Sequence, residues 1–524
     1  MSISMKKYIV TTIALFVCAY YANGQANEEK INTQSALELN HVRSLWANSS
    51  NAAGMAFYPL HDYNIVSGFY NYEIGEYKWQ QEGDNYRNIG FNTKGALRLG
   101  KMALWGNFGF SDSYTTASKF NTNSNDLSPD MPYYVADSIV SDWRRQYYDM
   151  ALKAALPLGD RLSVGVELEY LSREGAKQRD PSSVVDNRKI VVTPSIVLKL
   201  NDRHTIGANF RYYSTFDRNT WESNYSMAAN QQVYKMKGLG NYVLGINSAA
   251  AGQQIEDFYT NGEAFGGGLQ YGGLFGSNTE VLLDVTLNRK KTETYESATK
   301  PMREGDTYSN TWNGTLQVLH KGDITHRLLA RVNHSSTDGV EHIQKFNDTY
   351  EVQFWETVTT FVKSTYLLQT ISMQYDIFVG AHTDYLWKFG LDGVYANRED
   401  TYLLPRSEFY AKNFYLGWHI NMNVIELSSS KLNLGFNSGY KKSIDGHYFY
   451  EGGTDSAHPI ITNFYQRDLA YITDNYWQLG LNVDWSIFLK SRSTINAGVG
   501  WKLINPQKLS SDRCLMAATL AFIF

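Results

Sequence analysis

The chain has 524 residues and a formal charge of −4, from 48 Lys and Arg against 52 Asp and Glu. So small a charge on so long a chain gives no electrostatic reason to expect nucleic acid as a partner. Aromatic residues make up 14%, with 38 Tyr and 41 Gly against 10 Pro. Beyond the leader no stretch holds the roughly 18 consecutive apolar residues of a membrane helix, which excludes a helical membrane protein.

The chain opens on a secretory leader, residues 1–24. Lys6 and Lys7 form its positive end, Tyr8 to Tyr21 its apolar core, and Ala22-Asn23-Gly24 its small-residue cleavage site. The alternative, lipidation at Cys18, requires a small residue where Val17 stands. After cleavage Cys514 is the one cysteine left, so neither an internal disulfide nor a cysteine metal site is expected. Residues 25–60 do not alternate. Leu39, Val42 and Trp46 recur at helical spacing, which predicts a short helix near residues 36–46. This segment reads either as a periplasmic lead-in or as a plug or hatch inside a lumen.

Residues 61–524 settle into alternation. Val164, Val166, Leu168 and Tyr170 alternate with Glu167 and Glu169; Trp477, Leu479, Leu481, Val483 and Trp485 oppose Gln478, Asn482 and Asp484. Most runs reach about nine to eleven residues, enough to cross a bilayer when tilted. Strands are predicted near 63–73, 86–99, 101–114, 143–157, 161–172, 187–200, 203–216, 263–275, 279–292, 308–321, 324–335, 363–379, 384–397, 409–426, 431–440, 474–489, 494–502 and 514–524. Short turns such as Gly100-Lys101, Asn201-Asp202 and Gly322-Asp323 alternate with long connections, the longest being 217–262 and 441–473. The expectation is a transmembrane antiparallel β-barrel of about eighteen strands, with fourteen or sixteen as alternatives, short periplasmic turns and long outside loops.

With the apolar face of each strand turned to lipid, the other face places Lys94, Arg98, Lys153, Glu167, Glu169, Lys189, Lys199, Arg211, Asp284, Arg327, Arg331, Lys388, Asp392 and Asp484 in the lumen. Such a lumen is wet or filled with polar protein, because isolated charges in a dry cavity are too costly. It reads as a solute path, or as a wall held by opposite charges pairing between neighbouring strands. Loop 217–262 carries Trp221, Tyr225 and Tyr234; loop 441–473 carries Tyr448, Tyr450, Phe464 and Tyr465. These aromatics suit stacking on a ligand, or packing of the loops against each other. Catalytic and metal signals are poor. Ser428-Ser-Ser-Lys431 matches S-x-x-K without its companion motifs. Asn121, Asn123 and Asn125 lack the turn Gly and distal Glu of a calcium loop. Neither cofactor nor metal is expected, and no enzyme, although a hydrolase built from separate strands stays as an alternative.

The chain ends on Leu520, Phe522 and Phe524 at alternate positions. This resembles the signal by which barrels are handed to the barrel assembly machinery, and implies that machinery and outer-membrane lipid as partners. With the leader, the Asn51-Ala-Ala-Gly-Met55 region and the strand rhythm, it resembles an uncharacterised family of Bacteroidota outer-membrane β-barrel proteins, a domain of unknown function. The resemblance spans most of the mature chain and implies the Gram-negative outer membrane and the fold, but no activity. Members of that family are encoded beside TonB-dependent receptors. That implies a role in nutrient or metal-complex uptake. The expected function is a porin-like channel or transport component for small solutes, accessory to TonB-dependent uptake, with such a receptor or a surface lipoprotein as partner. A non-conducting scaffold is the rival. A fainter similarity is to hydrophobic-compound channels with an Asn-Pro-Ala hatch element, but Asn51-Ala52-Ala53 lacks the Pro. Asp137-Ser138-Ile139 and Asp455-Ser456-Ala457 resemble a three-residue O-glycosylation pattern.

Overall fold

The computed structural model describes residues 31–121, 131–179, 182–222, 232–246, 257–297, 301–349, 354–380, 383–452, 456–489 and 493–524. Eighteen antiparallel strands close into one barrel, and each strand read from the alternation is present. Closure joins the two ends of the strand run. Tyr63–Gly75 pairs with Arg513–Ile523, in register from Ile65↔Ile523 to Gly75↔Arg513. The ladder runs on to the last residue, where the Phe524 amide donates to Asn64 O at 3.0 Å and the Asn64 amide to Phe524 O at 3.0 Å. A closed sheet satisfies every strand edge, which hydrocarbon requires.

The outer face is apolar: Leu269 is 70% exposed and Leu520 and Val499 62%. In water that surface would be a large liability; in lipid it is the expected solvent. The inner face carries small and polar residues, such as Ser163, Ser195 and Asp284, all buried.

The strands are longer than their apolar alternation indicates. Ile324–Asn347 has 24 residues and Phe354–Val379 has 26, against the roughly nine to eleven that cross a bilayer. The excess lies on the long-loop side. There the ladder continues, but residues such as Glu356 and Thr360 are polar and exposed. Period-two hydropathy therefore stops at the lipid boundary while the hydrogen bonds do not.

Two further layers lie inside. At the short-turn end, α1 (Gln34–Arg43) is followed by 3₁₀ turns at Leu45–Asn48 and Ala52–Ala56. Thr33 caps α1, its Oγ1 accepting from the Ala36 amide at 3.0 Å. At the long-loop end, Tyr134–Asp137, Gln232–Gly238 and Asn241–Ile246 form a three-stranded antiparallel sheet. It packs beside a π-helical turn, Ile460–Tyr465, that runs into α2 (Gln466–Ile472). The expected 45-residue connection at 217–262 is thus corrected: its barrel strands reach Glu222 and resume at Asp257, and its middle is a hairpin turned inward.

Candidate functional site

The N-terminal segment packs inside the barrel against the wall. Its apolar residues Leu39, Val42, Leu45 and Trp46 cluster with inward-facing Val197, Leu282, Leu319 and Phe378 of the wall. Leu37 meets Ile65, Ala521 and Ile523, so the last strand's inner face is apolar where the plug lies on it. Glycines let the backbones approach. A Cβ on Gly165 would stand 2.5 Å from Ala53 N, and one on Gly207 2.7 Å from Asn51 Nδ2. One on Gly272 would lie 3.0 Å from the Trp46 ring.

Asn51 is the polar anchor, with no exposure. Its Oδ1 accepts from the Ala53 amide at 3.0 Å. Its Nδ2 donates towards Gln270 Oε1 at 2.8 Å, Ile196 O at 3.1 Å and Ala208 O at 3.2 Å. Beside it, the Ser50 amide and hydroxyl donate to Asp284 at 2.8 and 2.9 Å. Ser163 Oγ donates to Ala53 O at 2.8 Å. On the far side of the plug Lys388 Nζ lies 2.6 Å from Glu38, and Tyr385 donates to the same carboxylate at 2.7 Å. His41 sits beside Tyr63 OH at 3.0 Å; burial, then Lys94 and Lys153, hold its pKa down at about 4.

The opposite end is a cap with its own core. Phe120, Tyr134, Tyr234, Met236, Leu239, Ile460, Ile461, Phe464 and Tyr465 are buried together, with Tyr448 and Tyr450 against them. The tight turn Gly238-Leu239-Gly240 has positive φ throughout, at 106°, 50° and 91°, and this conformation inserts Leu239 into that core. Lys177 Nζ pairs with Asp137 at 2.7 Å, tying the inner sheet to the wall. Lys237 with Glu304, at 2.7 Å, does the same.

Between cap and wall lies a cavity of about 770 Å³. Its wall holds Arg145, Arg173, Arg398 and Arg513 and the carboxylates Glu73, Glu82, Asp149 and Asp468. Arg513 pairs with Glu73 at 2.8 Å, and Arg398 with Asp400 at 2.6 Å. Asp468, on α2, accepts from the Gln80 amide at 2.8 Å, and burial pushes its pKa up to about 7. Asp149 is four residues along its strand from Lys153, whose Nζ lies 3.4 Å from the plug carbonyls Ala47 O and Ser49 O. The cavity therefore reaches from the cap towards the plug.

The charged residues assigned to the lumen divide between wall pairs and plug contacts. Lys153 faces Glu167 at 3.4 Å, Arg211 faces Glu169 at 3.1 Å, and Arg327 faces Asp376 at 3.4 Å. Asp392 holds His419 Nδ1 at 2.9 Å while Asp376 holds its Nε2 at 3.0 Å. With both ring nitrogens engaged by carboxylates, this histidine has none turned to a nucleophile. Lys199 stacks on Phe57 at 4.1 Å and Lys189 on Tyr213 at 5.2 Å. Asp284 and Lys388 serve the plug. Lys94 lies near His41, Asp484 stands in register with Gly498, and Arg98 and Arg331 are exposed on their strands.

Of the loop aromatics, Tyr234, Tyr448, Tyr450, Phe464 and Tyr465 meet in the cap; Trp221 ends a barrel strand, and Tyr225 lies outside the described residues. Asn123, Asn125 and Asp455 also lie outside them. Asp137, of the glycosylation-like triplet, is buried on Lys177, and Lys431, of the S-x-x-K match, is taken by Asp384 at 2.9 Å. The four cavity arginines were missed. Arg145 lies within the predicted strand 143–157 at the parity of Lys153, and Arg173 one residue beyond 161–172 at the parity of Glu167, so the inward face of those strands already pointed to both.

No curated protein matches the chain. Among solved structures it is similar to the ferric preacinetobactin receptor BauA from Acinetobacter baumannii, at 8% identity and a TM-score of 0.42, over 88% of this chain and 80% of that one. It is also similar to a FadL homologue from Pseudomonas aeruginosa, at 9% identity and a TM-score of 0.33, over 90% and 92%. At these identities the likeness is one of fold. The model of a family of unknown function, DUF6850, matches residues 52–524, and the chain belongs to that family.

Proposed function

We propose that this chain is an outer-membrane transport component: a gated conduit for small solutes, closed towards the periplasm by residues 33–58 and towards the outside by the cap. The observation that carries this reading is the polar cavity inside a lipid-facing barrel, bordered by the cap, with the N-terminal segment packed across the lumen at the short-turn end. A structural wall needs neither the glycine docking surface nor Asn51, since β-barrels of this size hold water without a plug. An apolar outer belt supports the outer membrane as its location. Accessory service to a TonB-dependent receptor, or to a surface lipoprotein, is the partner arrangement we favour.

The test is planar-bilayer conductance of the intact chain and of a variant lacking residues 31–60. Steady conductance only in the shortened protein is the expected result. Silence in both would sink the conduit.

One observation favours a second reading, a scaffold. The strand Ile324–Asn347 pairs with its outer neighbour only as far as Val340. Its partner Phe354–Val379 pairs on its other side only from Ser364. Residues 341–347 and 354–363 therefore form a two-stranded ribbon whose outer edges lie beyond the barrel ladder, with Ile343, Val358 and Val362 exposed. Such edges template pairing with another chain. Silence in the bilayer together with loss of a co-purifying protein on deleting this ribbon would establish the scaffold.

A further inference from the structure

We infer that the cavity beneath the cap is a binding site for a neutral polyhydroxylated solute, an oligosaccharide of a few rings; this deepens the conduit reading and rests on it.

The volume, about 770 Å³, lies within the roughly 300–1,000 Å³ of small-molecule sites. Charge on the wall is balanced, four arginines against four carboxylates. Two of the cations are already committed, Arg513 to Glu73 and Arg398 to Asp400. A ligand with net charge would leave water for a wall of mixed charge and would compete with these pairs. A hydroxyl pair needs the opposite arrangement: fixed donors and acceptors side by side, as an ion pair presents them, because each hydroxyl both donates and accepts.

Neutral hydrogen-bonding groups fill the intervals. Gln81, Asn88, Ser111, Thr115 and Asn121 all line the cavity. Asn88 Oδ1 is shielded from solvent and meets no donor among the described residues. A buried acceptor left so is costly, and a ligand hydroxyl would satisfy it. The third component is ring surface. Trp79, Tyr86 and Tyr147 line the same space, and aromatic faces match the C–H faces of pyranose rings while leaving the hydroxyls to the polar groups. A purely apolar solute would strand the charges, and a flexible charged peptide would compete with the existing pairs.

The experiment is isothermal titration of the full chain in detergent. The probes are neutral di- and trisaccharides built from glucose, galactose, mannose and N-acetylglucosamine, with citrate and tri-lysine as charged comparators. Saturable binding of at least one saccharide is expected, weakened tenfold or more in Asn88→Ala and in Tyr147→Ala, with both variants keeping the heat-modifiable migration of a folded barrel. Binding of the comparators alone, binding of no saccharide, or unchanged affinity in both folded variants would overturn it. Because titration needs no conduction, saccharide binding to a barrel that never conducts would keep this site and sink the conduit; conduction without saccharide binding would do the reverse.

Discussion

Asn51 shows how one side chain can hold a plug. The two protons of its amide nitrogen are shared among two wall carbonyls and Gln270 while its oxygen caps the following turn. Asn51→Ala would orphan buried acceptors at a cost of about 1–3 kcal/mol each. The expected outcome is at least a tenfold rise in open-channel events, read in a planar bilayer, with no change in barrel assembly. His41 makes the same docking sensitive to pH. Its pKa falls from the ordinary 6.5 to about 4 when docked, so the released state binds the proton more readily. The docking contribution is therefore fully present above pH 6.5 and is lost as pH falls towards 4. Opening should rise between pH 7 and pH 5, and His41→Phe should flatten that dependence.

At the scale of elements, glycine spacing decides where the plug fits. Gly165 faces the turn Ala52–Ala56 at backbone contact distance. Gly165→Val should expel that turn and give steady conductance, with the folded migration of the barrel retained; silence with a folded barrel would mean that the plug is not the barrier. The cap responds to pH in the opposite sense. Asp468 is raised to about 7 by burial, with Gln80 N–H, Arg398 and Lys78 favouring its ionised form and Glu82 opposing it. For an acid whose folded pKa is raised, stability is greatest below the unfolded value and falls as pH rises through the folded one. Protease cleavage of the cap should therefore accelerate between pH 4 and pH 7, relative to Asp468→Asn measured at each pH. Equal rates in the two proteins across that window would refute the assignment.

For the whole molecule, closure rests on the pairing of Arg513–Ile523 with Tyr63–Gly75. Removing Phe522 to Phe524 deletes the last ladder bonds and the outward aromatic pair, whose rings lie 5.4 Å apart. Folded barrel in the outer membrane, measured by heat-modifiable migration, should drop several-fold; the truncation also removes Ile523 from its inward contact with Leu37.

The sequence alone determined the barrel. Side chains alternate at period two whatever the context, and lipid selects apolar residues at every outward position, so eighteen strands and their inward faces could be read from Glu167, Glu169, Lys153 and their neighbours. Apolar residues on the inward side near the turns, Val197, Leu282, Leu319 and Ile523, also carried the trace of a plug, although period alone could not separate it from noise. What only the tertiary structure decided is what fills the lumen. Asn51 meets Gln270 across 219 residues and Tyr448 meets Leu239 across 209; such contacts depend on closure, which is a property of the ring and not of any segment. The folding of two polar loops into one aromatic core is decided the same way, because Tyr and Phe on a loop read alike whether they face water, a ligand or each other until the barrel brings them to the same end.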